Sequence, residues 1–165
     1  MSKILKSKIS VVMGSSSDWE TMQYAVNIIK DFKIGYESKI ISAHRTPERM
    51  FNYAKTARGK GIQIIIAGAG GAAHLPGMIA ANTILPVLGV PVPTRYMSGI
   101  DSLYSILQMP KGLPVATFAI GEAGASNAAL AAISILSIND ESVAKKLLNF
   151  RENQTKNSLK MKLPD

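Results

Sequence analysis

From Gly61 to Thr94 the chain runs for 34 residues without a single Asp, Glu, Lys or Arg. So long an uncharged stretch either spans a membrane or lies in the core of a folded domain. Proline decides between them. Pro76, Pro86, Pro91, Pro93 and the glycines among them would break the hydrogen-bond ladder that a spanning helix needs. The segment instead divides into pieces. Ile62 to Ala67 is almost wholly apolar, the mark of a central strand in a parallel sheet covered on both faces. Leu75 to Asn82 reads as a short helix and Leu85 to Val90 as a second buried strand.

The rest of the chain alternates in the same way. Ile9 to Met13 is a β-branched run ended by glycine. Ser17-Asp18-Trp19-Glu20 has the spacing of a capping box, with Ser17 as the cap of a helix that runs to about Phe32 and stops at Gly35. Tyr36 to Ile41 is a strand. Thr46-Pro47-Glu48 starts a helix, with proline in the first helical position, and Gly59-Lys60-Gly61 ends it. Ser98 to Gln108 reads as a helix, Pro114 to Ile120 as a strand and Ala123 to Ser137 as a helix. Asp140 caps a last helix to about Asn157. Strand and helix in alternation predict an α/β fold of three layers, a parallel sheet with helices on both faces. At 165 residues this is a single domain over residues 9–157, with a basic lead at 1–8 and a polar tail at 158–165.

The net charge of +8 raises the question of nucleic acid, but its distribution answers it. Residues 1–8 and 145–162 carry the excess, while residues 9–144 hold ten basic and nine acidic residues. A nucleic-acid face needs cations clustered on the folded body, so no nucleic-acid partner is expected. The absence of cysteine excludes disulfides and thiolate catalysis. The N-terminal residues hold no apolar run of signal-peptide length, so the expectation is a cytoplasmic protein without membrane association. At 47% hydrophobic residues, part of the surface is expected to be buried in an oligomer.

Three turns carry residues suited to chemistry. Gly14-Ser15-Ser16-Ser17-Asp18 opens a helix, whose free amides and dipole favour an anion such as phosphate; the alternative is that Ser17 only caps and Asp18 only complements the dipole. Ser42-Ala43-His44-Arg45-Thr46-Pro47 sets a histidine, able to move protons near neutral pH, beside an arginine suited to phosphate or carboxylate. The alternative there is a surface pair at a helix entry. Gly68, Gly70 and Gly71 let backbone amides approach a ligand closely, and His74 in the same turn is either a ligand contact or a histidine bonded to backbone. Gly121-Glu122-Ala123-Gly124-Ala125 is a further small-residue turn, open to subunit packing or binding. Two histidines thirty residues apart, without a carboxylate cluster, supply no metal-ligand spacing.

Taken together, these motifs resemble the class I carboxyaminoimidazole ribonucleotide mutases of bacterial purine biosynthesis. The resemblance rests on Met13-Gly14-Ser15-x-Ser17-Asp18, on Ser42 to Pro47, and on Ile66 to Gly77. It extends through Leu88-Gly89-Val90-Pro91-Val92, Ser98-Gly99-x-Asp101-Ser102-Leu103 and Gln108-Met109-Pro110-x-Gly112-x-Pro114-Val115. It implies a flavodoxin-like (Rossmann-like) subunit, a homo-octamer with active sites between subunits, and no metal or other cofactor. The implied reaction moves a carboxylate from the exocyclic nitrogen of N-carboxyaminoimidazole ribonucleotide to a ring carbon.

Carried over by motif, Ser15, Ser17 and Arg45 hold the phosphate and Asp18 the ribose. Ser42 and Ala43 shape the base pocket and His44 shuttles the proton. Gly70, Gly71, Ala72, His74 and Leu75 close over the transferred carboxylate. Arg45-Thr46 favours the mutase over relatives that use free carbon dioxide, which typically have lysine and glycine there. A carbon dioxide-using carboxylase and a non-catalytic binding module for a nucleotide or flavin phosphate are the competing readings. Pro93 to Met97, bulkier and more basic than the pattern, and Glu122, where lysine is common, depart from the family.

Overall fold

Valine and isoleucine crowd β1 (Ile9–Met13) and β3 (Ile64–Ala69), and every residue of both strands is buried. Their branched side chains suit a pleated surface covered on both sides. The computed structural model describes residues 6–163. With β2 (Tyr36–Ile40), β4 (Val87–Pro91) and β5 (Ala116–Thr117), the strands form one sheet in the order β2-β1-β3-β4-β5, every neighbouring pair parallel. This is the flavodoxin-like order, whose direction reverses between β1 and β3 and opens a crevice beyond their carboxyl ends.

Helices cover both faces. Val12, Ile65, Ala67 and Val87 share a core with Met50, Tyr53 and Ala54 of α2 (Pro47–Ala57), Leu75 and Ile79 of α3 (Leu75–Ala80), and Ile106 of α4 (Ile100–Leu107). The opposite face carries Gly68, against which Met22 of α1 (Trp19–Asp31) is seated. A Cβ on Gly68 would lie 2.2 Å from the Met22 sulfur, so the missing side chain sets how closely α1 approaches the sheet.

Within β1, the fully buried Ser10 joins three elements. Its hydroxyl accepts a short hydrogen bond from the Tyr53 phenol of α2 and donates to Glu37 Oε1 of β2 at 3.1 Å. Lys39 pairs with Glu37 at 2.7 Å. Burial pushes the Tyr53 phenol well above its ordinary range, so it acts only as a neutral donor.

Several boundaries differ from expectation for local reasons. The first helix is entered through a 3-10 turn over Ser16–Asp18, so the cap is Ser15 and its capping-box partner is Asp18, in place of Ser17 and Glu20. The left-handed residue that ends α1 is Lys33, at φ 53°, not Gly35. Left-handed Ser98 and Gly99 delay α4 to Ile100. The expected strand from Pro114 to Ile120 shrinks to Ala116–Thr117, because Pro91 on the neighbouring strand has no N–H to extend the ladder.

The chain divides into two compact units, residues 1–132 and 133–165. The sheet belongs to the first. In the second, the Asp140 carboxylate caps α6 (Glu141–Ser158) by accepting from Val143 N–H at 3.3 Å. Within the expected lead and tail, residues 1–5 and 164–165 lie outside the described residues. Among the described residues no helix is long and apolar enough to cross a membrane.

Candidate active site

Strand register brings the functional turns level. Met13 pairs with Ile40 on one side and Gly68 on the other, and Ala69 pairs with Pro91. The segments that follow β1, β2, β3 and β4 therefore leave the sheet side by side, and together they enclose a cavity of about 610 Å³. Small-molecule sites span roughly 300–1,000 Å³.

The β1 turn contributes Ser15, Ser17 and Asp18 to the lining. Ser15 Oγ accepts from the Ser17 amide at 3.3 Å and from the Ser17 hydroxyl at 3.0 Å. Asp18 is buried, and its Oδ2 accepts from Ser15 N–H at 2.9 Å. Burial pushes the Asp18 carboxyl above its ordinary value, against the lowering influence of the Ser15 and Gly14 amides and the Arg45 charge. Asp18 thus serves the turn itself and still has acceptor capacity toward the cavity.

The β2 turn contributes Ser42, Ala43, His44 and Arg45. Ser42 Oγ accepts from both the backbone N–H and the Nε of Arg45, at 3.2 and 3.1 Å. The same guanidinium donates to the Gly14 carbonyl at 3.2 Å. Arg45 therefore ties the first two turns together. A guanidinium has five N–H donors, which leaves donors for an anion.

The β3 turn contributes Gly70, Gly71, Ala72, His74 and Leu75. The His74 ring is exposed and its partner is a side chain, not the backbone bond of a partly buried histidine. His44 Nε2 and His74 Nδ1 lie 2.8 Å apart, with the rings at 88°. One nitrogen donates and the other accepts, so the tautomers of the two rings are linked. A donor–acceptor pair of imidazoles can pass a proton from one ring to the other, and this one shares its cavity with the serine-rich turn after β1.

The residues carried over by motif thus all line one cavity, whereas Gly68, expected to approach a ligand, lies within β3 and is covered by Met22. A fourth segment lines the cavity as well: Val92, Pro93, Thr94, Arg95 and Tyr96, which follow β4. The sequence marked Pro93 to Met97 only as a departure in packing. The signal that finds it is its position, since it follows the carboxyl end of a buried strand as the other three turns do. Arg95 adds a second guanidinium to the lining, and Glu122 faces Tyr24 at the entry to α5 (Glu122–Ser137), where its charge raises the Tyr24 phenol above its ordinary value.

Comparison with known proteins identifies the family. The family described as AIR carboxylase matches residues 8–157. The chain belongs to the AIR carboxylase family. Its similar relatives include the N5-carboxyaminoimidazole ribonucleotide mutase of Bacillus subtilis, 60% identical over 88% of this chain and 90% of that protein. Those of Vibrio vulnificus (57%, covering 92% and 94%) and Escherichia coli K12 (55%, covering 90% and 88%) carry the same description. The crystal structure of Treponema denticola PurE superimposes with a TM-score of 0.83 at 28% identity, covering 92% of this chain and 93% of that one.

Proposed function

We propose that this chain interconverts N5-carboxyaminoimidazole ribonucleotide and its ring-carboxylated isomer in purine biosynthesis. The observation that carries the reading is the hydrogen-bonded pair of His44 and His74 in the same cavity as a serine-rich anion turn. A binding module for a phosphorylated ligand has no need of a proton carrier there.

The phosphate sits at Ser15, Ser17 and Arg45, the ribose hydroxyls at Asp18, and the base against Ser42 and Ala43. His44 delivers a proton to the exocyclic nitrogen as the N–C bond breaks, releasing carbon dioxide and leaving the free amine. The turn from Gly70 to Leu75 keeps the gas against the ring, which holds the two reactants as one complex. The ring carbon attacks carbon dioxide to form the new C–C bond. His44 then takes the proton from that carbon, restoring aromaticity, and the step balances with the proton first donated. One group acting as acid and then base works best with its pKa near the operating pH, and His74 shares the proton between steps.

The same reading makes the protein a cytoplasmic homo-octamer with sites between subunits. Exposed Tyr96, Met97, Ile100, Tyr104 and Leu107 form an apolar surface that supports such burial. Substrate choice tests the reaction. Purified protein receives the N-carboxylated ribonucleotide in one reaction, and aminoimidazole ribonucleotide with bicarbonate in another, with ring-carboxylated product followed by absorbance. Fast conversion of the first at low bicarbonate is expected from Arg45-Thr46. Activity only with the second would make the chain a carboxylase, and silence in both would remove the catalytic reading.

A further inference from the structure

The mechanism leaves Ser102 of α4 unused, although it is a fully buried polar side chain next to the cavity wall. Its hydroxyl donates to the Val92 carbonyl at 2.7 Å and accepts from Gly71 N–H at 2.9 Å. One turn further along α4, the Ser105 hydroxyl donates to the Gly71 carbonyl at 3.1 Å. Both polar backbone groups of Gly71 are thus engaged by α4.

Gly71 lies where the chain leaves β3 toward His74, and it has φ +68°, a conformation that glycine adopts without steric cost. Beyond it the chain has little slack. Ala73 N–H donates to the Gly71 carbonyl and His74 N–H to the Ala72 carbonyl, each at 2.8 Å. A displacement of Gly71 is therefore transmitted to the His74 backbone, and the His74 ring is the partner of His44.

The same helix holds the fourth segment of the cavity. Thr94 Oγ1 donates to Asp101 Oδ1 at 2.8 Å and accepts from Gly99 N–H at 3.2 Å. With the Ser102 bond to Val92, α4 fixes the segments after β3 and β4 relative to each other.

We infer that Ser102 is a positioning residue, with Ser105 in support, whose hydroxyl sets the Gly71 turn so that the His74 imidazole meets His44. This rests on the proton-relay reading of the two histidines. A merely structural hydroxyl would satisfy the Val92 and Gly71 backbone groups and leave the imidazole pair indifferent to its removal.

The test is Ser102→Ala and Ser105→Ala in the full chain, each read in two ways. Turnover and KM are measured on the N-carboxylated ribonucleotide, and long-range ¹⁵N–¹H spectra report the tautomers of both imidazoles in the ligand-free protein. Ser102→Ala is expected to lower kcat by about tenfold to a hundredfold, as misplacement by about an ångström does, with KM within about threefold. The coupled His44–His74 tautomer pattern should be lost with it. Ser105→Ala should move both readouts in the same direction by a smaller factor.

Unchanged kcat in both variants overturns the inference, and so does a fallen kcat with an unaltered imidazole pattern. If Ser102→Ala fails to fold, Ser105→Ala, at an exposed position, decides by the same two readouts. If the wild-type protein does not turn over this substrate, the functional reading fails, and the spectra alone decide whether the serines position the pair.

Discussion

His44 Nε2 lies 2.8 Å from His74 Nδ1, one ring edge-on to the other at 88°, although the residues are thirty positions apart and follow different strands. The tautomers of the two rings are therefore linked, and removing either ring takes away the other's partner. His44→Asn should keep the fold and ligand binding while turnover falls by about 10²–10⁴-fold, the usual contribution of a positioned acid–base group. Steady-state kinetics beside a ligand titration checks this, and intact turnover would take His44 out of the proton path.

Asp18 makes a prediction about pH. Its folded pKa is raised from 3.8, burial being the largest cause. Between the unfolded value and the higher folded one, the native state binds more protons, so stability falls as pH rises through that window and then levels off. Asp18→Asn keeps an acceptor for Ser15 N–H without the charge. Its melting temperature relative to wild type should rise as pH is taken upward from about 4, where the unfolded carboxylate titrates. A difference that is flat with pH would mean that the buried charge costs nothing.

Arg45 links the Gly14 carbonyl, Ser42 and the cavity. Arg45→Ala should weaken binding of phosphorylated ligands by about tenfold to a hundredfold, in line with the loss of a charge-assisted hydrogen bond. Binding of the dephosphorylated nucleoside should change far less. Titration calorimetry with both ligands separates the cases, and equal losses would place the phosphate elsewhere.

Tyr53 and Ser10 form a buried polar contact between α2 and β1. Tyr53→Phe should lower unfolding stability by about 1 kcal/mol, the typical net value of such a bond. Adding Ser10→Ala should cost less than the sum of the two single changes, because the variants share one interaction. Urea unfolding of the four proteins measures the coupling, and strict additivity would mean the contact contributes nothing.

Much of this protein follows from local chemistry. The uncharged run from Gly61 to Thr94 and the β-branched run from Ile9 to Met13 determined β1, β3 and β4, since burial on both faces requires continuous apolar sequence. Turn residues after those strands marked Ser15, Ser17, Asp18, His44, Arg45 and His74. Local spacing misassigned the first cap, because a 3-10 turn and an α-helix begin with similar residues and only the backbone path distinguishes Ser15 from Ser17. It marked Pro93 to Met97 only as a departure from the family pattern, whereas Pro93 to Tyr96 line the cavity.

What the tertiary structure alone decided is which of these residues meet. Parallel register sets Met13 beside Gly68 and Ala69 beside Pro91, and that alignment brings the four segments around one cavity. The His44–His74 bond, the Arg45 link to Gly14 and the Ser102 anchor on Gly71 are contacts across 30 to 31 residues. Periodicity and turn preference act over a few neighbours, whereas these partners are chosen by how the strands pair and where the helices pack.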